Sequence, residues 1–305
     1  MLRIHGGRPP WPLLFLGGLL LICIAGMAGA AALKNEVGSA ATLRAKYVSL
    51  EGALLLNQFG QPLVLDSAET QTGLRGDIYA VVDFPFAAVR TELSNPEHWC
   101  DVMILHINTK YCHATRAPSG TTLKVNIGKK TPEKLAATSR LEFKYKVAQA
   151  TPDYVEVVLD ARDGPLGTSD YRIRLEMMAL ANDRTFLHLT YSYAVNFAGR
   201  LAMRSYLATV GSAKVGFTVS GTGADGQPTH IAGVRGLMER NTMRYYLAID
   251  SFLGAASDAP GEQLEHRLQS WFAAVERYPQ QLHELDRGAY LEMKRAEHLR
   301  QQTAN

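Results

Sequence analysis

The sequence predicts an α+β fold in which a curved antiparallel sheet grips one long helix, with extra helices at the N- and C-terminal ends. Two observations predict the sheet. From Asp77 to about residue 220, apolar and polar residues alternate with a period of two in run after run, and short turns separate the runs. Alternation of that kind in consecutive strands gives an antiparallel sheet with one covered and one solvated face. A third observation supplies the cover: residues 236–253 carry Met243, Tyr246, Ile249 and Leu253 at helical spacing.

The elements follow in order. Arg3 and Arg8 precede an apolar run over residues 13–24 and then a small-residue stretch over 25–32. Basic, apolar and small regions in that order make residues 1–30 a secretory signal peptide, with cleavage expected after Ala30 in Ala28-Gly29-Ala30. Residues Gly17 and Gly18 make the run poor as a stable span, so an uncleaved anchor in the inner membrane is the less favoured alternative. Cys23 follows the bulky Ile22, which disfavours lipid modification. The expected location is therefore the periplasm.

Residues 31–75 form an N-terminal extension whose Leu43, Tyr47, Leu50, Leu54 and Leu55 fit an amphipathic helix over 41–59. Residues 76–254 hold the sheet, opened by Arg75-Gly76-Asp77 and interrupted by a helical turn over 86–93. The second strand is expected to place Met103, Leu105, Ile107 and Tyr111 on one face and His106, Asn108 and Lys110 on the other. Later strands set Leu141, Phe143, Tyr145 and Val147, then Val155, Val157 and Leu159, then Tyr171, Ile173 and Leu175, then Leu187, Leu189, Tyr191 and Tyr193 on the covered face. An insertion at about residues 196–235 separates the last long strand from the gripping helix. After a linker over 254–261, residues 261–305 form two helices broken at Pro279, the first with a stripe of Leu264, Leu268, Trp271, Phe272, Val275 and Tyr278.

Composition narrows the function. With 47% hydrophobic residues in 305 positions the chain can bury a full core, and 32 Lys and Arg against 29 Asp and Glu give only +3, too little to point to nucleic acid. Export would leave Cys100 and Cys112 where disulfides persist, so a bridge between them is expected; two buried thiols are the alternative.

The segment Asp83-Phe84-Pro85-Phe86-Ala87-Ala88-Val89-Arg90 through Asn95-Pro96-Glu97-His98-Trp99 resembles the opening of START-like proteins, the superfamily of the Bet v 1 allergens and polyketide cyclases. Pro85 and Pro96 suit first helical positions, and Asn95 suits an N-cap. The resemblance covers residues 76–253 and implies a helix-grip fold whose cavity, between sheet and helix, holds lipids, sterols or aromatic polyketides. It carries over no catalytic residue, because the superfamily shares no catalytic motif.

No zinc spacing, phosphate-cradling loop, nucleophile elbow or His-Glu-x-x-His helix occurs, so neither a metal nor another cofactor is called for. His106 and His188 fall opposite the apolar face and read as solvated. Tyr145, Tyr191 and Tyr193 fall on the apolar face, either to orient a ligand or as core aromatics. Arg240 and Arg244 share a helix face that could meet an anionic head group, although a solvated face is the plainer reading. Arg200 and Arg204 repeat that spacing. The expected ligand-binding set is Phe143, Tyr145, Val157, Ile173, Leu189, Tyr191, Tyr193, Met243, Tyr246, Arg240 and Arg244. The leading expectation is a binding or carrier protein for a hydrophobic small molecule or lipid, with a membrane or envelope partner as the remaining partner class. The alternatives are a cyclase- or hydrolase-type enzyme in the same cavity, and a scaffold docking a partner through its C-terminal helices.

Overall fold

A computed structural model describes residues 38–209 and 213–303. The signal peptide and its cleavage site lie outside the described residues. Residues 38–303 belong to one compact unit. Among the described residues no helix is long and apolar enough to cross a membrane.

Eight strands form one antiparallel sheet in the order β1-β2-β8-β7-β6-β5-β4-β3. They are β1 (Leu63–Glu69), β2 (Gly73–Val82), β3 (Thr109–Ala117), β4 (Gly120–Ile127), β5 (Ser139–Ala150), β6 (Tyr154–Asp163), β7 (Thr168–Ala179) and β8 (Thr185–Val195). Long β5 to β8 follow the sequence alternation except at Val147, expected on the covered face but 39% exposed where the β5 register shifts, and their registers place Ile173 beside Tyr191 and Leu175 beside Leu189.

On the inner face lie α2 (Phe86–Leu93), α3 (Pro96–Leu105) and above all α5 (Gly233–Gly254), which packs on β1, β2 and β8. Gly76 makes that packing close: a Cβ there would collide with Thr242 of α5. The Arg75-Gly76-Asp77 triplet is thus absorbed into the fold. Its glycine faces the helix, and its two charges pair with each other on the opposite face.

Four differences from the sequence reading have physical causes. First, residues 103–107 are not strand: Asn95 caps Thr-free helix α3 by accepting from the Glu97 N–H, and the helix runs to Leu105. Val102, Met103, Ile104 and Leu105 are all buried, and a last turn buried all round shows no usable period. Second, the outer face is not wet throughout. Helix α1 (Ala40–Leu55) lies on it and buries Leu43 and Leu54 with Val81, Tyr154, Met178 and Phe186. Leu55, expected on that stripe, is instead 81% exposed, because the helix ends there.

Third, the insertion, through which the alternation was expected to run to about residue 220, holds α4 (Phe197–Thr209) and a small hairpin of β9 (Val219–Thr222) and β10 (Pro228–His230) that stands apart from the main sheet. Buried Glu239 of α5 ties it down by accepting from the Phe217 and Thr218 N–H groups at 2.6 and 2.9 Å. Fourth, the C-terminal stripe is not an exposed surface. In α6 (Pro260–Glu276) Leu268, Trp271 and Val275 are buried against α5, which removes the apolar docking face the scaffold reading needed. After the short α7 (Pro279–Leu282), α8 (Arg287–Thr303) packs on α3 and β3. There Lys294 donates to the His106 and Thr109 carbonyls, and Glu297 bridges Lys294 and Lys110 at 2.8 and 2.9 Å. Lys110, read from sequence as solvated, is fully buried in that bridge.

A disulfide joins Cys100 of α3 to Cys112 of β3, with Cα atoms 5.1 Å apart.

Candidate functional site

The inner face carries a row of aromatic rings beneath α5. His106, which follows the last turn of α3, stacks on Tyr245 of α5 with ring centres 4.7 Å apart. Tyr245 meets Tyr191 of β8 at 5.1 Å, and Tyr191 meets Tyr193 at 5.7 Å. Tyr171 of β7 closes the end by stacking on Tyr193 at 5.0 Å. Strand pairing sets Tyr191 beside Ile173, and the close approach at Gly76, its partner on β2, brings α5 within reach.

The hydrogen bonding of the row is uneven. Tyr171 shares a 2.9 Å bond with Thr168, and the Tyr193 hydroxyl lies 3.9 Å from the Met203 sulfur of α4. The hydroxyls of Tyr191 and Tyr245 have no partner among the described residues. His106 Nδ1 accepts from the Asn108 N–H at 3.2 Å, so its Nε2 carries the proton, and that buried Nε2 has no partner either. Buried polar groups are ordinarily paired, which makes the orphaned His106 Nε2 beside two free hydroxyls unusual.

All three groups are neutral. Burial pushes the Tyr191 and Tyr245 hydroxyls up, beyond the ordinary tyrosine range. Burial, then the charges of Arg244, Lys294, Lys130 and Lys110, hold His106 well below the ordinary imidazole value. The row can therefore donate hydrogen bonds to an oxygen on an apolar or aromatic molecule. It offers no group able to abstract a proton, since the Nδ1 lone pair of His106 already accepts a bond.

The expected residues divide. Phe143, Val157, Ile173, Leu189, Tyr191, Tyr193, Met243 and Tyr246 are brought together in one continuous buried core. Tyr145 packs at its margin, its hydroxyl donating to the Ser94 carbonyl at 2.7 Å. Arg240 and Arg244 face neither this space nor solvent. Arg240 donates to the Val215 carbonyl, and Arg244 pairs with Glu284 at 2.8 Å, because the insertion and the C-terminal segment cover that side of α5. Of the exposed pair expected in α4, Arg200 binds Glu69 and the Thr70 carbonyl, while Arg204 is largely exposed. Tyr245 and His106 were missed. The legible signal was Asn95-Pro96, which starts a helix long enough to carry His106 past its end.

His188 also departs from expectation. It is 6% exposed on the outer face, with Nδ1 2.7 Å from Glu176 and Nε2 2.8 Å from Asp77. Burial opposes its charge, but the bonds to Asp77 and Glu176 outweigh that and raise its pKa. Asp77 is buried too, yet His188 and Arg75 hold it well below the usual carboxylate range. Among the described residues no group of His, Cys, Asp and Glu is arranged to hold a metal.

No protein-family profile and no curated protein matches the chain. Solved structures match over part of it. A START superfamily protein from Mycobacterium smegmatis is 12% identical with a TM-score of 0.30, over 44% of this chain and 78% of that one. Norcoclaurine synthase from Thalictrum flavum is 14% identical at 0.31, over 49% and 77%. The Zhui aromatase/cyclase from Streptomyces sp. R1128 is 10% identical at 0.32, over 67% and 96%. The chain's own geometry, an eight-stranded antiparallel sheet closed over one long helix, has the START-like helix-grip order of elements.

Proposed function

We propose that the protein binds or carries a hydrophobic, lipid-like small molecule between the sheet and α5, with the guest's oxygen-bearing end against Tyr191, Tyr245 and His106. The observation that carries this reading is a row of aromatic rings offering three neutral donors without a partner among the described residues, of which the His106 Nε2 is fully buried. Burying ~14 methylenes at about 0.8 kcal/mol each is worth ~11 kcal/mol gross. That exceeds an association cost of at least ~4 kcal/mol, whereas a small polar molecule would gain far less. The surrounding core must part to admit the guest, and α4, which touches the row through Met203, lies at the Tyr193 end.

Donors without an available base suit retention of a guest better than cyclase or hydrolase chemistry. Delipidated protein is expected to bind fatty acid, sterol or a hydrophobic dye saturably, and Ile173→Trp, which adds bulk to the packed core beside Tyr191, is expected to abolish that binding. Absence of binding to all three probes overturns the reading. Mass spectrometry of co-purifying molecules identifies the class of guest.

The reading includes export to the periplasm. Its support is the order of basic, apolar and small residues in positions 1–32, together with the Cys100–Cys112 disulfide, a bond that persists in oxidising compartments. Sequencing the mature N-terminus is expected to start at or near Ala31. An intact Met1 in the membrane fraction would instead assign an uncleaved anchor.

A further inference from the structure

On the opposite side of the sheet from the tyrosine row lies a cavity of about 460 Å³. Strands β2, β8, β7, β6 and β5 form its floor, and the first turns of α1 form its roof. Six cationic side chains line it: Lys46, Arg75, Lys146, Arg172, Arg174 and His188.

Four carboxylates answer them. Arg75 grips Asp77 with bonds of 2.7 and 2.8 Å, Arg172 reaches Asp160 at 2.5 Å, and Arg174 reaches Glu156 and Glu176 at 2.6 and 2.9 Å. His188 lies between Glu176 and Asp77. Each of these four carboxylates is thus occupied, and the ammonium groups of Lys46 and Lys146 remain. Lys46 lies 4.8 Å over the Tyr79 ring, which itself stacks on His188 at 4.1 Å. Neither Lys46 nor Lys146 pairs with a carboxylate among the described residues. The Arg174 Nη2 group is buried in the cavity wall without a hydrogen-bond partner. The cavity roof begins at Gly38 and the N-cap Ser39, where leading helical N–H groups lack intrahelical acceptors.

We infer that this cavity binds a phosphate dianion, either free or as the head group of a phosphate monoester, at a site separate from the tyrosine row. A monovalent carboxylate would leave one of the two surplus charges unanswered, and a neutral guest would leave both. A dianion matches them, and a guanidinium N–H and an ammonium are the donors that phosphate takes.

Two arms separate the sources of the phosphate. Inorganic phosphate and glycerol phosphate are titrated calorimetrically at fixed ionic strength, with acetate as the monovalent control. Phosphatidylcholine vesicles with and without phosphatidic acid are tested by co-sedimentation. Saturable binding of the soluble phosphates, or retention only on phosphatidic acid vesicles, supports the site and identifies its source. In either case Lys46→Gln/Lys146→Gln is expected to weaken binding at least about tenfold while lowering the unfolding midpoint only slightly, because neither lysine holds an ion pair and only the Lys46 contact with the Tyr79 ring is lost. The inference fails if neither arm binds, if acetate binds as tightly, or if the double variant binds like the parent. Hydrophobic-guest binding at the tyrosine row, measured on the same variant, is expected to be unaltered.

Discussion

His188 and His106 are both buried, at 6% and 4% exposure, yet they differ in charge. His188, on the outer face, lies between two carboxylates and keeps its proton. His106, at the end of α3, is surrounded by Arg244, Lys294, Lys130 and Lys110 and loses it. Burial disfavours the charged form at both places, so the sign of the neighbours decides. The charged residue helps weld the sheet's outer face, whereas the neutral one is left with a free N–H beside the tyrosines.

The largest effect should come from the cationic surroundings of His106. Glu297→Ala strips the shared carboxylate from Lys110 and Lys294, both fully buried, and is expected to cost about 4 kcal/mol in chemical denaturation. Lys294, already held down to about 8 by burial and by Lys110, is the group that would give up its proton. A loss below about 1 kcal/mol would show that the two ammoniums are solvated.

On the outer face, Asp77→Asn removes one of the two carboxylates that charge His188 and also the partner of Arg75 and Thr190. About 3 kcal/mol is expected, with His188 moving back towards its ordinary value in an NMR titration. An unchanged titration would mean that Glu176 alone holds the proton.

The pH dependence of stability sharpens the comparison, because the two histidines act on opposite limbs. His188 has a raised folded pKa, so its contribution is complete below about pH 6.5, the unfolded value, and is lost as pH rises through the folded value. His106 has a lowered one, so its contribution is present above about pH 6.5 and is lost as pH falls below it. Asp77 and Glu176, both lowered, add to the acid loss below about pH 4. His188→Gln should flatten the alkaline limb and His106→Gln the upper part of the acid limb. Identical profiles for the two variants would break the comparison.

The smallest effect concerns the free hydroxyl. Tyr191→Phe should leave folding stability nearly unchanged, since the hydroxyl has no partner to lose, and should weaken guest binding by ~1 kcal/mol. A fall in stability with no change in binding would assign Tyr191 to the core alone.

The sequence by itself determined the sheet, the gripping helix and the order between them. Strands β5 to β8 show the alternation of Phe143, Val157, Ile173 and Leu189 because one neighbour layer covers one side of the sheet where those residues lie. Asn95 and Pro96 fixed the start of α3 because capping is local chemistry. Only the tertiary structure decided what alternation cannot express, namely what lies against the other face. His188 read as solvated and Tyr154 lies on the same face, yet the ion network and α1 bury them. Tyr245 joined the row because α5 is buried on nearly all sides, so no single stripe marked the side that meets Tyr191. Period reports which side chains share a face, while burial and charge depend on the elements packed against that face, and those come from parts of the chain distant in sequence.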